Sequence, residues 1–159
     1  MPRVHLNIGS NSGDRHNNLN RAIDALLSEL GSAVLSLRIS PVVESEPWGY
    51  ESENKFLNVG ISFHTTIAPT ELLAMTKRAE LLSGGPDDSH RKPDGTYADR
   101  RVDIDIIFYG TNIYDSPELT IPHPRLHLRR FVIEPLMSID PLWRHPRLGL
   151  LPSQLMELL

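Results

Sequence analysis

The amino-acid sequence predicts an α+β domain: a mainly antiparallel sheet with helices on one face, in ferredoxin-like β-α-β-β-α-β order, followed by C-terminal additions. Three observations carry that expectation. Apolar residues recur at every second position in short runs near 4–8, 33–44, 56–63 and 102–109. Two other stretches, 19–30 and 69–82, place them at helical spacing instead. The pieces follow one another as strand, helix, strand, strand, helix, strand.

The first strand alternates Val4, Leu6 and Ile8 with His5 and Asn7 and ends at the turn-forming Gly9, Ser10 and Asn11. Leu19, Ala22, Ile23, Leu26 and Leu30 then make the buried stripe of a helix, with Gly31 placed to cap its C-terminus. The second strand puts Leu35, Leu37 and Ile39 on one face, and Pro41 assigns it to a sheet edge or a bulge. A polar loop, 44–55, holds Trp48 between Pro47 and Gly49. Leu57, Val59, Ile61 and Phe63 mark the next strand's apolar face, leaving Phe56, Asn58, Gly60 and Ser62 opposite. An aromatic beside an amide beside a glycine suits the floor of a site for a planar ligand. Pro69 can open the second helix, with Leu72, Met75 or Thr76, Ala79 and Leu82 inward.

Residues 83–99 have no apolar period, and loops of that length are usually lids, binding loops or disordered. Val102, Ile104, Ile106 and Phe108 form one face of the following strand. A hairpin-like turn at 109–113 and a proline-stiffened extended stretch at 119–124 come next. Arg129 to Met137 reads as a helix with Phe131, Val132 and Leu136 inward and Pro135 keeping it short or kinked. The Leu-rich tail from Pro141 ends in a final short helix.

A chain of 159 residues without repeats or a linker is expected to be one domain, 1–159. Its net charge of −4 gives no electrostatic case for binding nucleic acid or an anionic membrane. The lack of cysteine removes disulfides, thiolate metal sites and a thiol nucleophile. No apolar run reaches membrane-spanning length and the N-terminus has no apolar signal region, so the expectation is a cytoplasmic protein; a monomer is also expected.

Asp103 and Asp105 share the other face of their strand, about 7 Å apart. Adjacent carboxylates repel, and a divalent cation such as Mg²⁺, which prefers oxygen ligands, would hold them together. Pairing with Arg100 and Arg101, just upstream, is the other reading, and the triplet alone, being common by chance, slightly favours it. Phe56 and Asn58 on one strand, the two aspartates on another, and cations at Arg91, Lys92, Arg100, Arg129 and Arg130 are together the parts needed for a metal–triphosphate beside a flat ring.

At this point the sequence resembles the 6-hydroxymethyl-7,8-dihydropterin pyrophosphokinase family of folate biosynthesis. The likeness covers nearly the whole chain. It rests on Leu6-Asn7-Ile8-Gly9-Ser10-Asn11, on Ser45-Glu46-Pro47-Trp48-Gly49 with Phe56-Leu57-Asn58, on Arg100-x-x-Asp103-Ile104-Asp105, and on Leu119-Thr120-Ile121-Pro122-His123-Pro124-Arg125 with Arg129-x-Phe131. The resemblance implies pyrophosphoryl transfer from ATP to a pterin hydroxymethyl group, with Asp103 and Asp105 holding two Mg²⁺ and, with Arg100, forming the catalytic set. It further implies a pterin site of Ser45, Glu46, Trp48, Phe56, Asn58 and Phe131. For ATP it implies Leu73, Glu80, Arg91, Lys92, Tyr97, Arg100, Ile106, Thr120, His123 and Arg129. The other six histidines are expected to be structural or on the surface. The chain departs from the family pattern at Gly84-Gly85-Pro86-Asp87-Asp88, where basic residues are usual, and at Asp99, Glu118 and Pro124. Those departures motivate an alternative, a catalytically reduced pterin- or nucleotide-binding module on the same fold. A metal-dependent nuclease is disfavoured by the negative net charge.

Overall fold

The alternation of Val4, Leu6 and Ile8 with polar residues produces the central strand of the sheet, β1 (Arg3–Ser10). The computed structural model describes residues 1–45, 55–83 and 102–159. β1 pairs with β4 (Phe56–His64) on one side and β5 (Asp103–Tyr109) on the other. β2 (Leu35–Ile39) and β3 (Val43–Ser45) both pair with β4, giving the order β2-β4-β1-β5 with β3 attached to β4. All of these pairings are antiparallel.

Helices α1 (Arg15–Leu30) and α2 (Pro69–Leu82) pack against one face of this sheet. The Asp14 side chain accepts from the Asn17 N–H at the start of α1, satisfying a donor the helix leaves open. Gly31, at φ 55°, ends it and donates to Leu27 O. Leu19, Ala22, Leu26 and Leu30 bury against Val4, Leu6, Ile8, Val59, Ile61 and Phe63. Each such aliphatic side chain contributes about 1.5–3 kcal/mol on burial, so this layer is the main source of stability.

The second strand corrects the sequence reading. The stretch 33–44 is divided into a 3₁₀ turn at Gly31–Ala33, β2 and β3. Leu35, Leu37 and Ile39 do not enter the core: they are 49%, 41% and 47% exposed. β2 is the sheet edge and lies beyond the cover of α1, which rests on β1 and β4. Ser36, at φ 53°, and a register shift between Leu35 and Arg38 break the regularity of that edge. Leu82 is likewise 71% exposed, whereas Thr76 and Glu80 share the buried face of α2 with Leu72 and Ala79.

β5 carries a further correction. Leu6 pairs with Ile106 but His5 pairs with Phe108, so Ile107 is an extra residue in the ladder. The bulge reverses the facing of everything after it. Phe108 therefore leaves the side of Ile104 and Ile106 and joins a second core with Ile107, Leu126, Val132, Ile133, Leu136 and Leu155.

That second core sits under α3 (Arg130–Ile139), which crosses one end of the face opposite α1 and α2. The two helices of the core thus share one face, and the C-terminal addition α3 takes part of the other. α3 continues through Pro135, buries Val132 and Leu136 as expected, and leaves Phe131 half-buried. α4 (Pro152–Glu157) packs on α3, and a small sheet of β6 (Tyr114–Asp115) and β7 (Thr120–Ile121) lies outside the main one. Beneath α3, His5 is fully buried with Nδ1 2.8 Å from Asp140 Oδ2. Arg38, Ser62 and Arg3 also approach the Asp140 carboxylate. Among the described residues no helix is long and apolar enough to cross a membrane.

Candidate active site

The end of the sheet face that α3 leaves clear is furnished by three adjacent strands. Period-two alternation sends Asp103 and Asp105 away from Ile104 and Ile106, which lie in the α1–α2 core. Asp103 stands opposite Gly9 and Asp105 opposite Asn7 on β1. On the far side of β1, Gly9 is opposite Asn58 of β4. A Cβ on Gly9 would lie 2.9 Å from Asn58 Oδ1 and 3.5 Å from the Phe56 ring. Glycine there is a close-approach requirement, since it lets the amide and the aromatic lie flat on the strand. Asn58 is buried, its Nδ2 donates to Ser45 Oγ at 3.0 Å, and its Oδ1 accepts from Asn7 Nδ2 at 3.3 Å. Ser45 itself faces Phe56 across the β3–β4 pairing. The sequence-derived floor of Ser45, Phe56 and Asn58 is therefore one surface.

The nucleotide candidates separate into groups. Glu80 reaches from α2 to accept from the Ile104 N–H at 3.2 Å, with Lys77 Nζ 3.3 Å from its other oxygen. Burial, then the nearby Asp103 carboxylate, push its carboxyl up to about 7, against the pull of Lys77. His123 follows β7, and its Nδ1 accepts from the Arg125 N–H at 3.2 Å. A neutral imidazole so held carries its proton on Nε2 and is a donor there. Burial lowers the pKa of His123 to about 4, helped by the Arg129 cation and opposed by Asp103. Arg129, at the start of α3, lies with its guanidinium 5.7 Å from the Phe131 ring centre. Leu73 and Ile106 pack into or against the α1–α2 core, so Ile106 could reach a nucleotide only through its backbone. Thr120 and His123 line a cleft of about 320 Å³ with His127, His145 and Arg147, three residues the sequence reading did not single out.

The depressed pKa of His123 has a signed consequence. Down to about pH 5 its imidazole is expected to keep the neutral resonance pattern in NMR, while in urea it titrates near 6.5. The unfolded chain then binds a proton that the folded chain refuses. His123 therefore subtracts stability progressively as pH falls from about 6.5 towards 4. His5, whose pKa burial also lowers, acts in the same direction. Glu80 acts oppositely, because its raised pKa lets the folded chain hold a proton through the window from about 4.5 to 7. Titration of the His123 resonance above pH 6 in the native protein would contradict this geometry.

Among the described residues no cluster of three or more His, Asp or Glu side chains is placed to enclose an ion. Two carboxylates on one open face fit Mg²⁺, which is commonly held by one or two carboxylates and completes its shell with water and substrate phosphates. Glu46, Trp48, Arg91, Lys92, Tyr97, Arg100 and Arg101 lie outside the described residues. Asn7 and Gly9 belong to this surface, and only the strand register reveals that they touch it.

Acidic oxygens and an amide-bearing floor share one end of an antiparallel α+β sheet, a composition compatible with a phosphate-bearing small-molecule ligand. Residues 5–141 match the family model described as 7,8-dihydro-6-hydroxymethylpterin-pyrophosphokinase (HPPK). The 2-amino-4-hydroxy-6-hydroxymethyldihydropteridine pyrophosphokinase of Porphyromonas gingivalis is 38% identical over 149 residues, covering 92% of this chain and 95% of its own. The protein of the same name from Aquifex aeolicus is 36% identical over 146 residues, covering 92% and 85%. This chain belongs to the HPPK family. In fold it is similar to a solved HPPK-DHPS chain in complex with substrates, at TM-score 0.71 and 12% identity, over 98% of this chain and 43% of that one. A Plasmodium falciparum HPPK-DHPS structure gives the same TM-score at 14% identity, with 98% and 45% covered. The chain thus spans less than half the length of these solved structures.

Proposed function

We propose that this protein transfers pyrophosphate from ATP to the hydroxymethyl oxygen of 6-hydroxymethyl-7,8-dihydropterin, releasing AMP and the pterin diphosphate of folate biosynthesis. In this reading residues 1–159 are one cytoplasmic, monomeric catalytic domain on a ferredoxin-like scaffold, which the strand order and the family match over residues 5–141 support. The observation that carries the reaction is the placement of Asp103 and Asp105 on the same open face as Phe56 and Asn58, across β1.

The pterin alcohol attacks the β-phosphorus of ATP. One O–P bond forms, the bond from the β-phosphorus to the α–β bridging oxygen breaks, and the alcohol proton is lost to solvent. Positioning and charge neutralisation supply most of the rate in such transfers. Phe56 and Phe131 hold the ring and Asn58 reads its edge, next to Ser45. Asp103 and Asp105 would hold two Mg²⁺, which when bound neutralise the phosphate charge. His123 donates from Nε2 to a phosphate oxygen, and Arg129 adds a cation at the same end. The cleft lined by Thr120 and His123 receives the nucleotide, Ile106 serves through its backbone, and Glu80 and Leu73 keep the ATP-site roles that the family resemblance implies. Arg100, Arg91, Lys92, Tyr97, Glu46 and Trp48 keep the phosphate, loop and pterin-pocket roles that the family resemblance implies.

The test is direct. Incubated with ATP, Mg²⁺ and the hydroxymethyl dihydropterin, the protein should form AMP and pterin diphosphate in equal amounts. ADP formation, or no turnover, would overturn the assignment.

A further inference from the structure

Asn7 occupies a place that packing does not explain. It lies mid-strand in β1, between β4 and β5, and is only 4% exposed. Asparagine is a poor strand former, and a buried carboxamide is costly unless its groups are bonded. Here one group is not: Nδ2 donates to Asn58 Oδ1 at 3.3 Å, but Oδ1 finds no hydrogen-bond partner among the described residues. An apolar or β-branched residue would suit the strand better, so the amide is retained at a cost to stability.

Its position suggests what the amide does. Asn7 faces Asp105 on β5, and residues so paired have their Cβ atoms about 4.5–5.5 Å apart. On the other side it bonds the Asn58 amide, which Gly9 and Ser45 complete as a box. The Ser45 hydroxyl can donate or accept, so it does not choose which way the Asn58 amide points. The Asn7 N–H donor does, turning Oδ1 towards β1 and Nδ2 towards Ser45.

We propose that Asn7 is a positioning residue for the pterin, holding the Asn58 carboxamide in the single orientation that matches the donors and acceptors on the ring edge. The inference rests on the pterin reading of Asn58. Calorimetry with the dihydropterin and separately with ATP tests it on wild type, Asn7→Ala and Asn7→Thr, each also in an Asn58→Ala background. Both Asn7 variants should weaken pterin affinity by about 3- to 10-fold, leave ATP affinity unchanged, and melt at or above the wild-type temperature. In turnover the pterin KM should rise more than kcat falls. The loss should vanish in the Asn58→Ala background, where there is no amide left to orient. Unchanged pterin affinity, an equal loss for ATP, a loss that persists without Asn58, or failure of both variants to fold would each overturn the positioning role. A wild-type protein that does not bind the pterin would overturn the functional reading and this inference with it.

Discussion

Asp103→Ala and Asp105→Ala will each lower turnover by roughly 10³-fold or more while the protein stays folded. Both side chains are half-buried neighbours on the same face of β5. The Asp103 charge also bears on Glu80, whose carboxyl it helps to raise. Removing one carboxylate deletes no hydrophobic contact of the α1–α2 core, which lies on the other side of the sheet. In function the loss is uncompensated, because two carboxylates are already few ligands for Mg²⁺. Calorimetry separates the effects: ATP affinity measured with Mg²⁺ should fall in the variants, while affinity measured with EDTA should match the wild type. A variant that keeps Mg²⁺-dependent activity would remove the metal role and restore the reading in which these aspartates only pair with arginines.

Among the described glycines, Gly60→Ala should be the most damaging substitution for stability. A Cβ there would lie 2.7 Å from Pro135 Cβ and 2.8 Å from Cε1 and Nε2 of His5, closer than real carbon contacts allow. Neither neighbour can yield cheaply. His5 is fully buried and bound to Asp140, and Pro135 is rigid within α3. Accommodation requires α3 to lift from the sheet, at a cost of about 3 kcal/mol and a fall in melting temperature of roughly 6–12 °C for a chain of this size. Arg129 and Phe131 begin α3, so pterin affinity should drop with stability. Urea unfolding measures the first and calorimetry the second. A loss under about 1 kcal/mol would show that α3 is not held against Gly60.

Much of the scaffold was readable because its causes are local. Alternation at Leu57, Val59, Ile61 and Phe63 fixes which side of β4 is buried as soon as one side meets α1. The helical spacing of Leu19, Ala22, Leu26 and Leu30, with Asp14 and Gly31 at the ends, does the same for α1. Asp103 and Asp105 kept the facing assigned to them. Phe108 did not, because one inserted residue, Ile107, shifts the pleat by one position, and no feature of the run Ile106-Ile107-Phe108 announces it. Leu35, Leu37 and Ile39 failed for another reason. Their alternation is sound, but α1 covers β1 and β4 and leaves the edge strand β2 uncovered.

The sequence by itself determined the α+β class, the paired aspartates, the aromatic–amide strand and the family to which they belong. Those signals lie within runs of a few residues, where backbone geometry alone places side chains. Only the tertiary structure decided what touches what. The register of β1 against β4 and β5 brings Asn7, Gly9, Asn58 and Asp105 together from parts of the chain some fifty residues apart. The seat of α3 on Gly60 closes one end of the face and, among the described residues, leaves the other uncovered. Register and seating are set by the packing of whole surfaces, which no short stretch of the chain encodes.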